Sequence, residues 1–208
     1  LFTINRLKGI NMKCFTCVPA SAVTYLLEKG KLDHAGYFTD CEMAPTYLDI
    51  KDIQTATTGK DYFNYPLFFT VKTETNPYLE LIESWEDVEW TIHFEIKEGD
   101  NAMCYLAEDI DYLFLNLPVY HTGEEVNELL DNGTSKNISQ TELKENWTKN
   151  LPLSKEELEK NIGLGYFIEG VIDAIKAENV TTIQRTSDFL QGLRHQASKE
   201  RYNTYHTQ

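Results

Sequence analysis

The chain has 208 residues and carries 33 acidic against 19 basic side chains, a formal charge of −14. Hydrophobic residues make up 41% and aromatic residues 12%, which is enough apolar surface to build a folded core. An acidic chain is short of the cations that contact phosphates, which argues against nucleic acid as the direct ligand. No apolar run reaches the ~20 residues that span a bilayer, so we expect no membrane contact and a cytoplasmic location.

The negative charge is concentrated in one part of the sequence. Residues 33–131 contain 22 acidic and four basic side chains, whereas residues 132–208 contain ten of each. Residues 1–32 hold five basic side chains and one acidic side chain. Charge of one sign aids solubility, and it also speeds association with a partner of opposite sign. Both interpretations stay open at this point.

Three regions follow from this pattern. Residues 1–11 precede the first methionine, Met12, and are interpreted as a tag or upstream segment. Residues 12–131 form an acidic α+β region. Residues 132–208 form a mainly helical C-terminal region, which is either separate or part of the same domain.

The first predicted elements are a helix and two short strands. A helix is expected from Pro19 to Gly30, because proline fits a first helical turn and glycine can end a helix in a left-handed conformation. Short strands are predicted at residues 47–53 and 67–72.

The clearest pattern is a strict alternation of apolar and polar residues over residues 88–96. Residues 97–101 are typical of a hairpin loop, after which residues 103–107 return and residues 112–117 add a third strand. Such a meander has one face packed and one face in water. The predicted wet face includes Glu89, His93 and Glu95.

Helices are predicted towards the C-terminus. Three capping boxes mark helix starts: Thr122 with Glu125, Ser139 with Glu142, and Ser154 with Glu157. Apolar residues then continue near helical spacing to Ile175, and a last helix is expected over residues 182–201. The fold class is therefore α+β, an antiparallel β-meander in the middle with helices at the N-terminus and the C-terminus.

A candidate partner-binding segment lies around two tryptophans. Aromatic rings among charged residues are typical of protein interfaces, where they contribute much of the binding energy. Burial of both rings in the core is the alternative. The candidate binding residues are Glu80, Glu83, Trp85, Glu86, Asp87, Glu89 and Glu95.

Cys14 and Cys17 form a C-x-x-C pair, which together with His34 and Cys41 offers four ligands for tetrahedral zinc or a redox dithiol. The second half of this set is widely spaced, and no βαβ pattern surrounds the pair. We therefore expect no metal and no cofactor.

No motif of known catalytic mechanism occurs, so no catalytic residue is assigned and a non-enzymatic function is expected. A zinc- or thiol-dependent enzyme remains an alternative.

From Met12 the chain begins Met-Lys-Cys-Phe-Thr-Cys, is acidic and of middle size, and is rich in Asn, Lys, Glu, Ile and Tyr. In this general character it resembles the host-takeover proteins of large phages that infect AT-rich Gram-positive bacteria. Within that group it looks like the staphylococcal phage type that binds the host primary sigma factor and inhibits transcription. The resemblance implies a basic, DNA-binding partner and carries over no individual residue. An acidic DNA mimic that inhibits a restriction enzyme or nuclease is a further alternative.

Overall fold

A computed structural model of the protein describes residues 12–37, 67–73, 88–107 and 152–206. The strands in these ranges are β1 (Met12–Val18), β2 (Lys31–Asp33), β3 (Leu67–Val71), β4 (Trp90–Ile96), β5 (Ala102–Leu106), β6 (Ile168–Ile172), β7 (Ala174–Lys176) and β8 (Val180–Arg185). The α-helices are α1 (Ala20–Lys29), α2 (His34–Tyr37), α3 (Lys155–Gly163) and α4 (Thr186–His206), and a short 3-10 helix spans Ala177–Asn179. The predicted α+β class, with an antiparallel sheet and helices near both ends, is confirmed.

Six strands form one sheet in the order β5-β6-β3-β1-β4-β8, and β2 pairs with β7 in a second, small sheet. Each pairing is antiparallel. The long β1–β4 pairing sets Met12 opposite Ile96 and Val18 opposite Trp90. Because β6 lies between β3 and β5, strands from residues 12–131 and from residues 132–208 share this sheet.

The strand order requires the sheet to be curled. Strands β4 and β5 follow each other in the chain, yet four strand spacings separate them, about 19 Å in a flat sheet. The registers also place the end of β4 and the start of β5 at opposite ends of the sheet. In a flat sheet, the distance between these two points would therefore be about 28 Å. The residues between Ile96 and Ala102 span at most about 21 Å. The sheet must therefore curl, so that the end of β4 and the start of β5 come closer together than in a flat sheet.

Among the described residues, side chains on the two faces of the sheet belong to two separate hydrophobic cores. The main core lies on one face, where α1 packs through Ala22 and Leu26. Sheet residues of this core include Cys14, Leu67, Phe69, Ile92, Phe94 and Ile172. On the opposite face the first turns of α4 cover Phe15, and the second core contains Phe15, Phe189, Leu190 and Leu193.

Two expectations about the strands and one about the last helix are wrong. The hairpin between residues 88–96 and 103–107 is not formed, since β4 lies between β1 and β8 while β5 pairs with β6. Residues 168–172 and 174–176 are strands rather than a helix, and the last helix begins at Thr186, after β8. Local spacing could not reveal these pairings because each strand gains its partners from distant parts of the chain.

Other local predictions are confirmed. Helix α1 ends at Gly30, whose φ of 71° is the left-handed conformation that glycine adopts without strain. Strand β3 matches the predicted strand at residues 67–72. Helix α3 begins with the predicted capping box, in which the Ser154 hydroxyl accepts from the N–H of Glu157. The predicted strands at 47–53 and 112–117 and the capping boxes at Thr122 and Ser139 lie outside the described residues.

Candidate functional site

Most of the candidate partner-binding residues lie outside the described residues: Glu80, Glu83, Trp85, Glu86 and Asp87. The other two, Glu89 and Glu95, are placed on or beside β4. Glu89 is exposed, and its carbonyl oxygen accepts from the N–H of Thr186 over 3.1 Å. Glu95 is partly buried six residues farther on, about 20 Å away along the strand. The structure therefore does not bring these two carboxylates together.

Cys14 and Cys17 point to opposite faces of the sheet, because three positions separate them on β1 and strand side chains alternate. The Sγ atom of Cys14 lies in the main core, 3.7 Å from the carbonyl oxygen of Met12. The Sγ atom of Cys17 lies on the other face, 3.5 Å from Oγ1 of Thr91. Cys41 is outside the described residues, and His34 is at the start of α2. In this arrangement the C-x-x-C pair cannot bind one zinc ion or close a disulfide.

Both of these thiols are held in their protonated form. Burial raises the pKa of Cys14 well above its usual value, and the neighbouring Cys104 raises it further. Burial also raises the pKa of Cys17, although hydrogen bonds with Thr91 and Thr186 oppose the shift. Because the thiolate is the nucleophile and the metal ligand, neither sulfur is suited to those roles. The thiol-dependent alternative thus has no geometric support at this pair.

The face of β4 that was expected to be wet is buried beneath α4. His93 is only 5% exposed, and its ring centroid lies 4.7 Å from that of Phe189 and 6.0 Å from that of Phe15. Burial lowers the pKa of His93 to about 4, and the positive charge of Lys72 contributes to this shift. The prediction of a solvated His93 is therefore wrong, because a helix that begins more than ninety residues later covers the strand.

A row of contacting small polar side chains connects the start of α4 to the sheet. The hydroxyl groups of Thr91 and Thr186 lie 3.0 Å apart, and both residues are fully buried. Cys17 extends this row of side chains through its contact with Thr91. Sequence reasoning missed this cluster because a threonine at a polar position of an alternating strand looks like a surface residue.

At the other end of the same face, two lysines lie side by side. The β1–β3 register continues so that Lys13 is opposite Lys72, and the N–H of Lys72 donates to the carbonyl oxygen of Lys13 over 2.8 Å. The Nζ atom of Lys72 lies 5.6 Å from the ring centroid of Phe189. Burial lowers the pKa of Lys72, and the charge of Lys13 lowers it further. Within the part of the chain that the structure describes, neither lysine forms an ion pair.

A buried carboxylate organises the turn that leads from β4 to β5. Asp100 is 7% exposed and accepts hydrogen bonds from the backbone N–H of Lys97 over 2.9 Å and from the side chain of Asn179 over 2.9 Å. Its other oxygen lies 2.8 Å from Nζ of Lys176, and this hydrogen bond raises the pKa of Lys176. The network joins the turn to β7 and the 3-10 helix, so its role is structural.

The excess of negative charge is concentrated in three stretches of the sequence. The described residues contain 14 acidic and 12 basic side chains. Three stretches outside them, residues 38–66, 74–87 and 108–131, contain 17 acidic and two basic side chains. We call these stretches the acidic segments. They follow α2, β3 and β5 along the chain, so each enters or leaves the α+β framework directly.

No protein-family model, no curated protein and no solved structure matches the chain. In the described ranges, no helix combines the length and the apolar character needed to cross a membrane. Over the same ranges, no group of three or more His, Cys, Asp or Glu side chains is placed to hold a metal ion. The geometry and the charge given above are therefore the basis for a functional assignment.

Proposed function

We propose that the protein is a non-enzymatic binding protein whose acidic segments engage a basic, DNA-binding partner protein. The partner expected from the resemblance is the primary sigma factor of the host RNA polymerase, so that binding blocks or modulates transcription. The observation that carries the proposal is the concentration of charge along the sequence: the acidic segments hold 17 acidic and two basic side chains, whereas the rest of the chain holds 16 acidic and 17 basic.

This uneven distribution of charge distinguishes between two roles of acidic residues, solubility and partner binding. Solubility is served by charges spread over a whole surface, so it does not require the acidic segments to differ from the rest of the chain. A concentration of one charge sign raises the rate of encounter with a basic partner and disfavours acidic competitors.

The segment at residues 74–87 offers a specific anchor. It holds five acidic residues and no basic residue, and Trp85 lies within the run Glu83-Ser-Trp-Glu-Asp87. A tryptophan gives a large apolar contact at an interface, while the surrounding carboxylates select a basic partner. Glu89 continues this run to the start of β4 and is exposed.

A pair of charge-matched variants tests the proposal. One variant carries Glu80→Gln, Glu83→Gln, Glu86→Gln and Asp87→Asn. The control carries Glu28→Gln, Glu156→Gln, Glu159→Gln and Glu178→Gln, four exposed framework residues. Association with purified sigma factor should slow about tenfold or more for the first variant and far less for the control, with the difference shrinking at high salt. Equal slowing by both variants would show that net charge alone acts, which contradicts the proposal.

Affinity capture from host lysate identifies the partner. Recovery of RNA polymerase or its sigma factor with the wild-type protein, and its loss with the segment variant, supports the proposal. Recovery of a restriction enzyme or nuclease instead would assign the DNA-mimic alternative, which relies on the same acidic character. Recovery of no basic nucleic-acid-binding protein would overturn both.

A further inference from the structure

We propose that His93 is a pH-sensitive switch for the docking of α4: protonation of its ring detaches the first turns of this helix from the sheet while the main core stays folded. The switch belongs to the α+β framework, whereas the proposed partner binding rests on the acidic segments. The two proposals are therefore independent and can be tested separately.

Helix α4 is attached to the sheet through its first two turns. Its buried side chains, among those described up to residue 199, all lie in these turns: Thr186, Phe189, Leu190 and Leu193. The side chains that follow, at residues 194–199, are exposed apart from the partly buried Ala197, although the helix continues to His206. A helix held by few buried side chains can open at a lower free-energy cost than unfolding of the whole domain requires.

The ring of His93 lies directly beneath this attachment. Its centroid is 4.7 Å from that of Phe189, which in turn is 5.1 Å from that of Phe15 on β1. Two positions earlier on the same strand face, Thr91 contacts Thr186 at the start of the helix. The His93 side chain is 5% exposed, and its Nδ1 atom has no hydrogen-bond partner among the described residues. Strand β4 thus supplies both the ring and the hydroxyl on which α4 is docked.

The side chains around His93 are of mixed charge. The titratable residues on this face of the sheet are Lys13, Cys17, Lys72, Glu89 and Glu95. The residues of β8 on the same face, Thr182 and Gln184, are neutral. The titratable residues on the described part of α4 are all exposed: Asp188, Arg194, His195 and Lys199.

This environment disfavours a second proton on the ring. Burial lowers the pKa of His93 to about 4, and the positive charge of Lys72 contributes to the shift. The carboxylate of Glu95 belongs to a residue opposite Lys13 in the β1–β4 register, whereas His93 is opposite Phe15. An imidazolium in the docked state would therefore lie between two aromatic rings and beside a lysine.

Detachment of α4 admits water to the ring and returns its pKa towards 6.5. Protonation therefore favours the detached state, and docking is lost progressively as the pH falls from 6.5 towards about 4. The equilibrium constant for detachment should be about twentyfold larger at about pH 5 than at about pH 7. The main core lies on the other face of the sheet, away from this ring.

Two cysteines on β1 distinguish local detachment from global unfolding. Cys17 is on the α4 face and hydrogen-bonds Thr186, whereas Cys14 is in the main core. Both are labelled with a pyridyl disulfide, which reacts with thiols in weakly acidic solution, and the labelled peptides are quantified by mass spectrometry. Each rate is divided by the rate of the same thiol in urea at the same pH.

At about pH 5, Cys17 should react at least about tenfold faster than Cys14 on this relative scale. The relative rate of Cys17 should also be about twentyfold higher than at about pH 7. Equal relative rates of the two thiols at the lower pH would show that α4 does not open separately from the main core, and would overturn the proposal. This comparison uses the wild-type protein and does not depend on the folding of any variant.

Matched histidine variants assign the effect to one ring. His93→Gln should abolish the acceleration of Cys17 labelling between the two pH values, because glutamine does not titrate. His195→Gln replaces an exposed histidine of α4 and should keep the acceleration. Acceleration of the wild-type size in His93→Gln would assign the pH dependence to another group and would reject His93 as the switch.

Discussion

His93 on β4 and Gln184 on β8 are joined by a hydrogen bond of 2.8 Å between their side-chain nitrogens. The amide of Gln184 donates, so Nε2 of His93 accepts and the proton of the neutral ring is on Nδ1. That Nδ1 atom is buried without a hydrogen-bond partner among the described residues. A second proton on the ring would place a buried positive charge beside Lys72, which explains why the neutral form is favoured.

The stability of the fold should therefore depend on the protonation of His93. Its pKa is lowered from 6.5 to about 4 on folding, so the unfolded chain takes up the proton first as the pH falls. The stabilisation is present above the unfolded pKa of 6.5 and is lost as the pH falls towards about 4. Urea titrations should show a loss of about 2 kcal/mol in unfolding free energy between about pH 7 and about pH 5.

Substitution separates this effect from the titration of other groups. His93→Gln should remove most of the loss between the two pH values, whatever it does to stability at neutral pH. His195→Gln, on the exposed side of α4, should leave the loss unchanged. An unchanged pH dependence in His93→Gln would contradict the assignment.

Gly170 on β6 is required by the close approach of its neighbours. A Cβ atom there would overlap the ring of Phe69 and lie 2.6 Å from the carbonyl oxygen of Met103. Gly170→Ala should lower the unfolding free energy by about 2 kcal/mol, because the core must shift to admit one methyl group. Gly192→Ala is the control: apart from its chain neighbours and the backbone of its own helix, nothing lies within 4 Å of the point that its Cβ would occupy, and alanine in a helix should stabilise by about 0.5–1 kcal/mol. Comparable stability of the two variants would argue against this packing.

Substitution of Asp100 in the turn before β5 should also lower the unfolding free energy. Asp100→Ala removes the acceptor for Lys97, Lys176 and Asn179 and should cost about 3 kcal/mol, measured by urea unfolding. Lys176→Gln should cost less than about 1 kcal/mol, because its ammonium group is half exposed and screened by water. Similar losses for both substitutions would show that the ion pair, rather than the buried acceptor, stabilises the turn.

The thiols of Cys14 and Cys17 should react only when the protein opens. Both are buried with raised pKa values, so modification by Ellman's reagent in the folded protein should be about a hundredfold or more slower than in urea. A Cys41→Ser background removes the cysteine outside the described residues from the measurement. Rapid modification of either thiol in the folded protein would contradict the burial on β1.

Local patterns predicted individual elements well. The alternation over residues 88–96 identified β4, and Ser154 with Glu157 identified the start of α3. These signals succeed because the direction of a strand side chain and the capping of a helix depend on neighbours within a few residues. The same alternation failed for His93, since which face is covered depends on α4, whose Phe189 lies almost a hundred positions away.

The candidate site was predictable only in part. The excess of acidic residues in residues 33–131 is a property of the sequence, and so is its concentration around Trp85. The opposition of Lys13 and Lys72 had no sequence signal, because it requires β1 to pair with β3 in one particular register. The separation of Cys14 from Cys17 likewise depends on the segment being a strand rather than a loop.

By itself the sequence determined the α+β class, the first helix, the alternating strand and the placement of negative charge along the chain. Only the tertiary structure decided that β4 and β5 are not neighbours, that His93 is buried and that two lysines share one face. The physical reason is the sequence separation over which each effect acts. Backbone propensity and periodicity act over a few residues, whereas strand order and burial are set by contacts between segments that are far apart in the chain.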